Sequence, residues 1–263
     1  MKRNFRLIWM LIKYKLSRTM AFRASFWGTL FVDGLLFFVQ LLIFHTIYAQ
    51  VGSIGGWSYG QMVIFVGTFT MIDALNMAIY FFGVVGIPGK IKTGDLDTYL
   101  TKPVNPLMRL TFESVSPDFL SQVLVGVLIV CYGVAVSGAQ VSMGVGLGYA
   151  ALVLLMTLLW YDLEVILRTI PFFVISAHGI MELEGELIMT NFRIPGVLYR
   201  GFLKILFYFI LPYGIMSTVP TQFITGSISP QGVGLAVLIV VAFTVFTLWF
   251  WKFGLRHYKS ASS

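Results

Sequence analysis

Long apolar stretches alternate with short polar ones along this chain, and the spacing predicts membrane-spanning helices. A span needs about 20 mostly apolar residues, and residues 24–49, 59–86, 116–137, 147–168 and 232–251 each supply one. The connections fall into two kinds. Those at 50–58, 138–146 and 225–231 carry no charge, whereas 2–23, 87–113 and 252–259 are rich in Lys and Arg. Basic connections stay on the cytoplasmic side of a bilayer. Both termini are therefore expected in the cytoplasm.

Residues 169–224 hold two further candidates, and parity admits only one crossing. The run 171–188 has a short apolar part before Glu182, Glu184 and Glu186, whose alternation reads as a solvated or cavity-facing acidic rim. The run 201–224 is long enough but broken by Pro212 and Pro220. Length, and the charges Arg193, Arg200 and Lys204, favour 201–224 as the fifth span. The two prolines favour a broken, re-entrant hairpin, which is tolerated only where protein or water satisfies the backbone. At residues 2–23, seven basic side chains from Lys2 to Arg23 alternate with apolar ones, as in an amphipathic helix lying in the membrane interface. Because Lys13, Lys15 and Arg18 follow its short apolar run at once, this start does not read as a cleavable signal. Gly144 and Gly148 have the small-xxx-small spacing of close helix packing.

Composition agrees with the pattern. Apolar residues make up 58% of the 263 residues and charged ones 11%, against about 25% charged in soluble proteins. The fold class expected is all-α and integral to the membrane, one domain over 1–263 with about six spans. The net charge of +7 lies at segment ends rather than on one face, which suits membrane orientation and not nucleic acid. The single cysteine, Cys131, excludes a disulfide framework.

Candidate chemistry is sparse. GIPGKIKT, starting at Gly86, looks briefly like a phosphate-binding loop, but the opening glycine position holds Val84 and the hydroxyl position holds Ile91, so the motif fails. His45, His178 and His257 are too scattered for a metal site, and no nucleophile motif occurs; no catalytic residue and no cofactor is assigned to this chain. Ionisable groups within spans suggest function by default. Asp33 in the first span, and Asp73 with Asn76 one turn apart in the second, are the candidates for a polar translocation path. Asp162 and Glu164 stand near the inner end of the fourth span.

The polar island 87–113 predicts a short helix capped at Thr93 or Asp95, with an apolar face of Leu96, Tyr99 and Leu100. Pro103 ends it, Val104-Asn105-Pro106 turns the chain, and Leu107, Met108 and Leu110 lead back to the bilayer. Such a bounded cytoplasmic helix suits docking into a soluble partner, with Asp95, Asp97 and Lys102 as rim contacts.

The run IKTGDLDTYLTKPVNPL, Ile91–Leu107, resembles the cytoplasmic segment of ABC-2 type permeases, I-x-x-G-x-(I/L)-D-x-x-L-x-(K/R)-P-(V/L)-(N/S)-P. Gly94, Leu96, Asp97, Leu100, Lys102, Pro103, Asn105 and Pro106 stand at the matching places. The resemblance implies a bacterial exporter subunit in the cell membrane, paired with a second permease subunit and two cytosolic ATPases that hold ATP and Mg. The island becomes the coupling helix, and the region 189–230 before the last span becomes a re-entrant hairpin. That makes 171–188 the fifth span, against the length argument. The other readings are an ion-coupled secondary transporter using Asp73 or Asp33, and a non-transporting membrane anchor.

Overall fold

A computed structural model of the protein describes residues 23–174 and 178–258. The expected interfacial helix at 2–23 therefore lies almost wholly outside the described residues. Helices make up the fold, and among the described residues no strand forms; Ile54 and Trp57 pair across a two-residue turn whose Gly55 and Gly56 have φ of 60° and 81°, the left-handed values such a tight turn needs.

The long helices are α1 (Arg23–Gln50), α2 (Tyr59–Ile79), α7 (Leu120–Ser137), α8 (Met143–Thr169) and α13 (Pro230–His257). They match the five predicted spans. Between α2 and α7 lie the short helices α3 (Phe81–Val84), α4 (Ile87–Thr93), α5 (Asp97–Leu100) and α6 (Pro106–Phe112). Between α8 and α13 come α9 (His178–Arg193), α10 (Gly201–Ile205), α11 (Tyr213–Met216) and α12 (Thr218–Ile224). Four of the described helices are long and apolar enough to cross a membrane, and five if the bent pair 201–210 and 213–224 counts as one.

Three spans begin at the same end of the bundle, each on a serine cap. Ser58, Ser142 and Ser229 accept hydrogen bonds from the backbone N–H of Gln61, Val145 and Gly232, satisfying donors that the first turn leaves free. At Ser58 the Gln61 side chain returns the bond to the cap N–H, a full capping box.

The segment after α9 settles against this same capped end. Val197 joins the apolar cluster of Phe44, Trp57, Met62 and Phe65, and a Cβ added to Gly55 would lie 2.6 Å from Leu198. The far end of α12 returns there too, because Phe223 packs on Gly148 in the first turns of α8. Meanwhile the turn 170–172 before α9 sits at the opposite end, with Phe172 against Trp251 and Gly254 of α13. So α9 runs from one end of the bundle to the other, while 201–224 leaves and returns at one end with a 78° bend at Leu211-Pro212.

A glycine seam joins α2 and α7. A Cβ on Gly67 would sit 2.9 Å from the Gly126 carbonyl oxygen and one on Gly126 3.0 Å from that of Gly67; two turns along, a Cβ on Gly133 would lie 3.0 Å from the Gly60 carbonyl oxygen, and one on Gly60 would meet the backbone of Ser137 at 2.6 Å. Each pair is spaced by seven residues, two helical turns. Within this chain the small-residue spacing at Gly144 and Gly148 serves ordinary packing against α12 and not a second glycine seam. Gly144 meets nothing nearer than 3.9 Å, and Gly148 receives the Phe223 ring. Large side chains of α1, α7 and α13, such as Leu124, Leu128, Leu238 and Val245, stay exposed on the outer surface, as lipid-facing positions do.

Candidate functional site: a rooted lever and a polar-ended cavity

The island 87–113 folds into a compact bracket at the uncapped end of the bundle. Pro88 opens α4 and Gly94, with φ of 81°, closes it, so the first helix precedes the one expected. Thr93 does not cap a helix. Its hydroxyl donates to the Asp95 carboxylate at 2.6 Å, and the Thr98 hydroxyl donates to the Asp95 carbonyl at 2.8 Å, which shapes the turn into α5. Asn105 caps α6 by accepting from Met108 N–H at 3.2 Å, with Pro106 as its first residue. The expected turn at 104–106 is thus a helix start.

Glu113 ties the three short helices together. It takes a hydrogen bond from the Tyr99 hydroxyl at 2.7 Å and pairs with Lys90 at 3.1 Å. The Lys90 and Arg109 cations lie 5.5 and 5.2 Å from the centre of the Tyr99 ring. Partial burial works against the Lys90 ammonium, but the bond and charge of Glu113 outweigh it and its pKa rises. Partial burial, then Glu113, raises the Tyr99 phenol.

The apolar stripe of the island does not all face outward. Leu96 is fully buried in a cluster with Tyr80, Val84, Ile87, Leu107, Leu110, Val165 and Trp251. This corrects the expectation that Leu96 docks with a partner: burying a leucine removes it from water and fixes the bracket to the bundle. Tyr99 is half-buried against Glu113, and Leu100 is the apolar side chain left at the tip, 40% exposed. Around it Asp95, Thr98, Thr101, Lys102, Pro103 and Asn105 are exposed. Asp97 approaches the Tyr258 hydroxyl after the last helix. At the root, a Cβ on Gly83 would lie 2.1 Å from the Leu110 carbonyl oxygen, so α3 and α6 touch backbone to backbone.

The second constellation is a cavity of about 910 Å³ between α1, α2, α8 and α9. Its walls are apolar, with Phe37, Phe44, Phe69, Ile188 and Phe192 among them, and its polar groups are Gln40, Asp73, Asn76, Trp160, Glu164 and Arg193. Two of the three residues expected on a translocation path, Asp73 and Asn76, are thus brought together. The side chain of Asp33 lies outside the described residues. Asn76 and Glu164 are each 1% exposed. Asn76 and Trp160 flank the Glu164 carboxylate, yet neither amide atom of Asn76, nor Nε1 of Trp160, nor Oε2 of Glu164 closes a hydrogen bond among the described residues.

Behind the cavity stands a buried ion cluster. Arg168 hydrogen-bonds to Glu184 and lies 3.7 Å from Glu164, one turn earlier on α8. Glu184 also accepts from the Tyr213 hydroxyl at 3.2 Å, so α8, α9 and the bent segment meet there. Glu184 is therefore buried, not part of a solvated rim; Glu182 and Glu186 remain on the exposed side of α9. Asp162 is buried as well, taking a hydrogen bond from Thr244 of α13 at 2.5 Å. Sequence reasoning noted Glu164 among the ionisable groups within spans but did not join it to Asp73 and Asn76, and it missed Trp160 and Arg168. The signal was present: Trp160, Glu164 and Arg168 recur every four residues, on one face of α8.

Comparison with known proteins gives one match of family rank. Residues 35–262 fit the model of a family described as ABC-2 family transporter protein. No curated protein and no solved structure matches the chain.

Proposed function

The chain belongs to the ABC-2 transporter family, and from that premise we propose that it is the transmembrane permease subunit of an ATP-driven exporter whose bracket 87–113 is the lever worked by a separate ATPase. The bracket faces the cytoplasm, with both chain termini, and the turn 54–57 faces the other side. On this reading α9 is the fifth span and 201–224 a re-entrant hairpin, giving six crossings with both ends inside. A second permease subunit, identical or related, completes the pathway, and two cytosolic ATPase subunits hold the nucleotide.

One observation carries this reading: the bracket is stiff within and rooted below, yet presents an apolar knob at its tip. The Lys90–Glu113–Tyr99 links make α4, α5 and α6 one body, and Leu96 seats that body on α2, α8 and α13. A push on Leu100 and its polar rim therefore reaches the spans instead of being absorbed by a flexible loop. Gly94, Pro103, Asn105 and Pro106 set the shape; Asp95, Asp97, Tyr99 and Lys102 complete the surface and its bracing. Binding in the partner supplies the free energy, because a conformational change needs differential affinity for its two states. The cavity is the substrate's way in, and Asp73 and Asn76 lie on it.

The test purifies the tagged full-length chain from its native membranes and measures ATP hydrolysis that travels with it. Leu100→Glu with Lys102→Glu is expected to cut that hydrolysis about tenfold or more, as loss of a central apolar anchor does at protein interfaces, with the melting temperature unchanged. Retained hydrolysis at full level would remove the docking role from this tip. Uphill transport in vesicles driven by an ion gradient alone would favour the ion-coupled reading instead.

A further inference from the structure

The cavity between α1, α2, α8 and α9 carries more chemical information than a passage needs. A volume of about 910 Å³ is at the upper end of the range for sites that enclose small organic ligands, about 300–1,000 Å³. Its walls include Phe37, Phe44, Phe69 and Phe192, side chains that hold apolar bodies and whose rings can attract cations through their quadrupoles. The ionisable groups that line it are Asp73, Glu164 and Arg193. Arg193 is exposed at the end of α9, free to reach water, whereas Glu164 is 1% exposed.

The nearest buried cation cannot balance this end of the cavity by itself. Arg168 is hydrogen-bonded to Glu184 and stands 3.7 Å from Glu164, so one guanidinium is shared between two carboxylates. Among the described residues Glu164 Oε2 and Asn76 Oδ1 are acceptors that close no hydrogen bond, and the donors Asn76 Nδ2, Trp160 Nε1 and Gln40 Nε2 on the same lining close none either. Buried polar groups of this kind are satisfied in native proteins, and a lining that sets two carboxylates, Asp73 and Glu164, against one exposed arginine, Arg193, favours a positive head group over a negative one.

We propose that this cavity binds an amphipathic organic cation, its apolar body against the phenylalanine walls and its charged head against Glu164, Asp73 and Asn76. The proposal rests on the exporter reading and names its substrate class. Arg193, at the exposed end of α9, disfavours a second positive charge at that point, so the site favours one compact charge on a bulky apolar frame.

The probes are tetraphenylphosphonium and tetraphenylborate, near-identical in shape and opposite in charge. Binding is measured to the full chain in lipid nanodiscs, with empty nanodiscs subtracted. Saturable tetraphenylphosphonium binding is expected, with affinity for the borate weaker by about tenfold or more, the effect of one charge contact at partly screened distance. Glu164→Gln keeps the shape and is expected to lose a similar factor; Asp73→Asn loses less. Each variant's melting profile is recorded, and if Glu164→Gln fails to fold, Asp73→Asn carries the comparison. Equal affinity for the two probes, or unchanged phosphonium affinity in the folded variants, overturns the proposal. ATPase association separates the two levels. Association without cation preference sinks the cation site alone, whereas cation preference without an associated ATPase supports the site and sinks the exporter reading.

Discussion

Replacing Arg168 by Met is expected to destabilise the folded chain by about 3–5 kcal/mol, the cost of leaving buried charges without their partner. Arg168, Glu164 and Glu184 have side chains 5%, 1% and 3% exposed, so water cannot take the arginine's place. The Tyr213 hydroxyl would still donate to Glu184, but one neutral donor does not offset a lost guanidinium. Both glutamates would have to take up protons or drag water inward. In the melting profile of the purified protein this should appear as a midpoint lower by about 10 °C, at a few degrees per kcal/mol for a chain of this size. Adding Glu164→Gln and Glu184→Gln should recover much of the loss, since removing all the charges removes the penalty. An unchanged midpoint in Arg168→Met would mean the ion cluster does not form.

Gly126→Leu should be as damaging for a steric reason. A single Cβ at that position would already lie 2.4 Å from Met71 Cγ and 3.0 Å from the Gly67 carbonyl oxygen. The second contact is backbone, which cannot rotate away. A leucine there must part α2 from α7 along the seam, at a cost of about 3 kcal/mol or more, and the loss should show as poor folded yield on size-exclusion chromatography. Gly144→Leu is the matched control. With nothing closer than 3.9 Å, it should leave the profile unchanged, and equal damage at both positions would contradict the seam.

The spans were legible because hydropathy is a property of single segments. Windows at 24–49, 147–168 and 232–251 fall on α1, α8 and α13, and the uncharged loops at 50–58 and 138–146 are the turns at the capped end. Hydropathy gave α9 little weight for a related reason. Three glutamates in sixteen residues depress any window average, and nothing local says that Glu184 will find Arg168 on another helix. The apolar length of 201–224 is equally real, and only the packing of its two ends, both against the capped end of the bundle, tells it from a straight crossing. The island's resemblance located the bracket without orienting it. Spacing alone put Leu96 and Leu100 on one face, while the αL turn at Gly94 and the separate one-turn helix α5 send Leu96 inward. Asp73 and Asn76 were visible as polar residues in a span. Their meeting with Glu164 depends on how α2 and α8 pack, which no single segment records.

The seat of Leu96 has a practical consequence for exchanging parts between related permeases. Residues 87–113 look like a cassette bounded by two spans, yet the socket they occupy is furnished partly by Val165 and by Trp251, and Tyr258 reaches Asp97. A graft of the island alone would carry its tip into a foreign socket. Hybrids that also transplant residues 251–258 should regain ATP-dependent transport more fully than hybrids that do not, because the two distant stretches form a single inheritable unit.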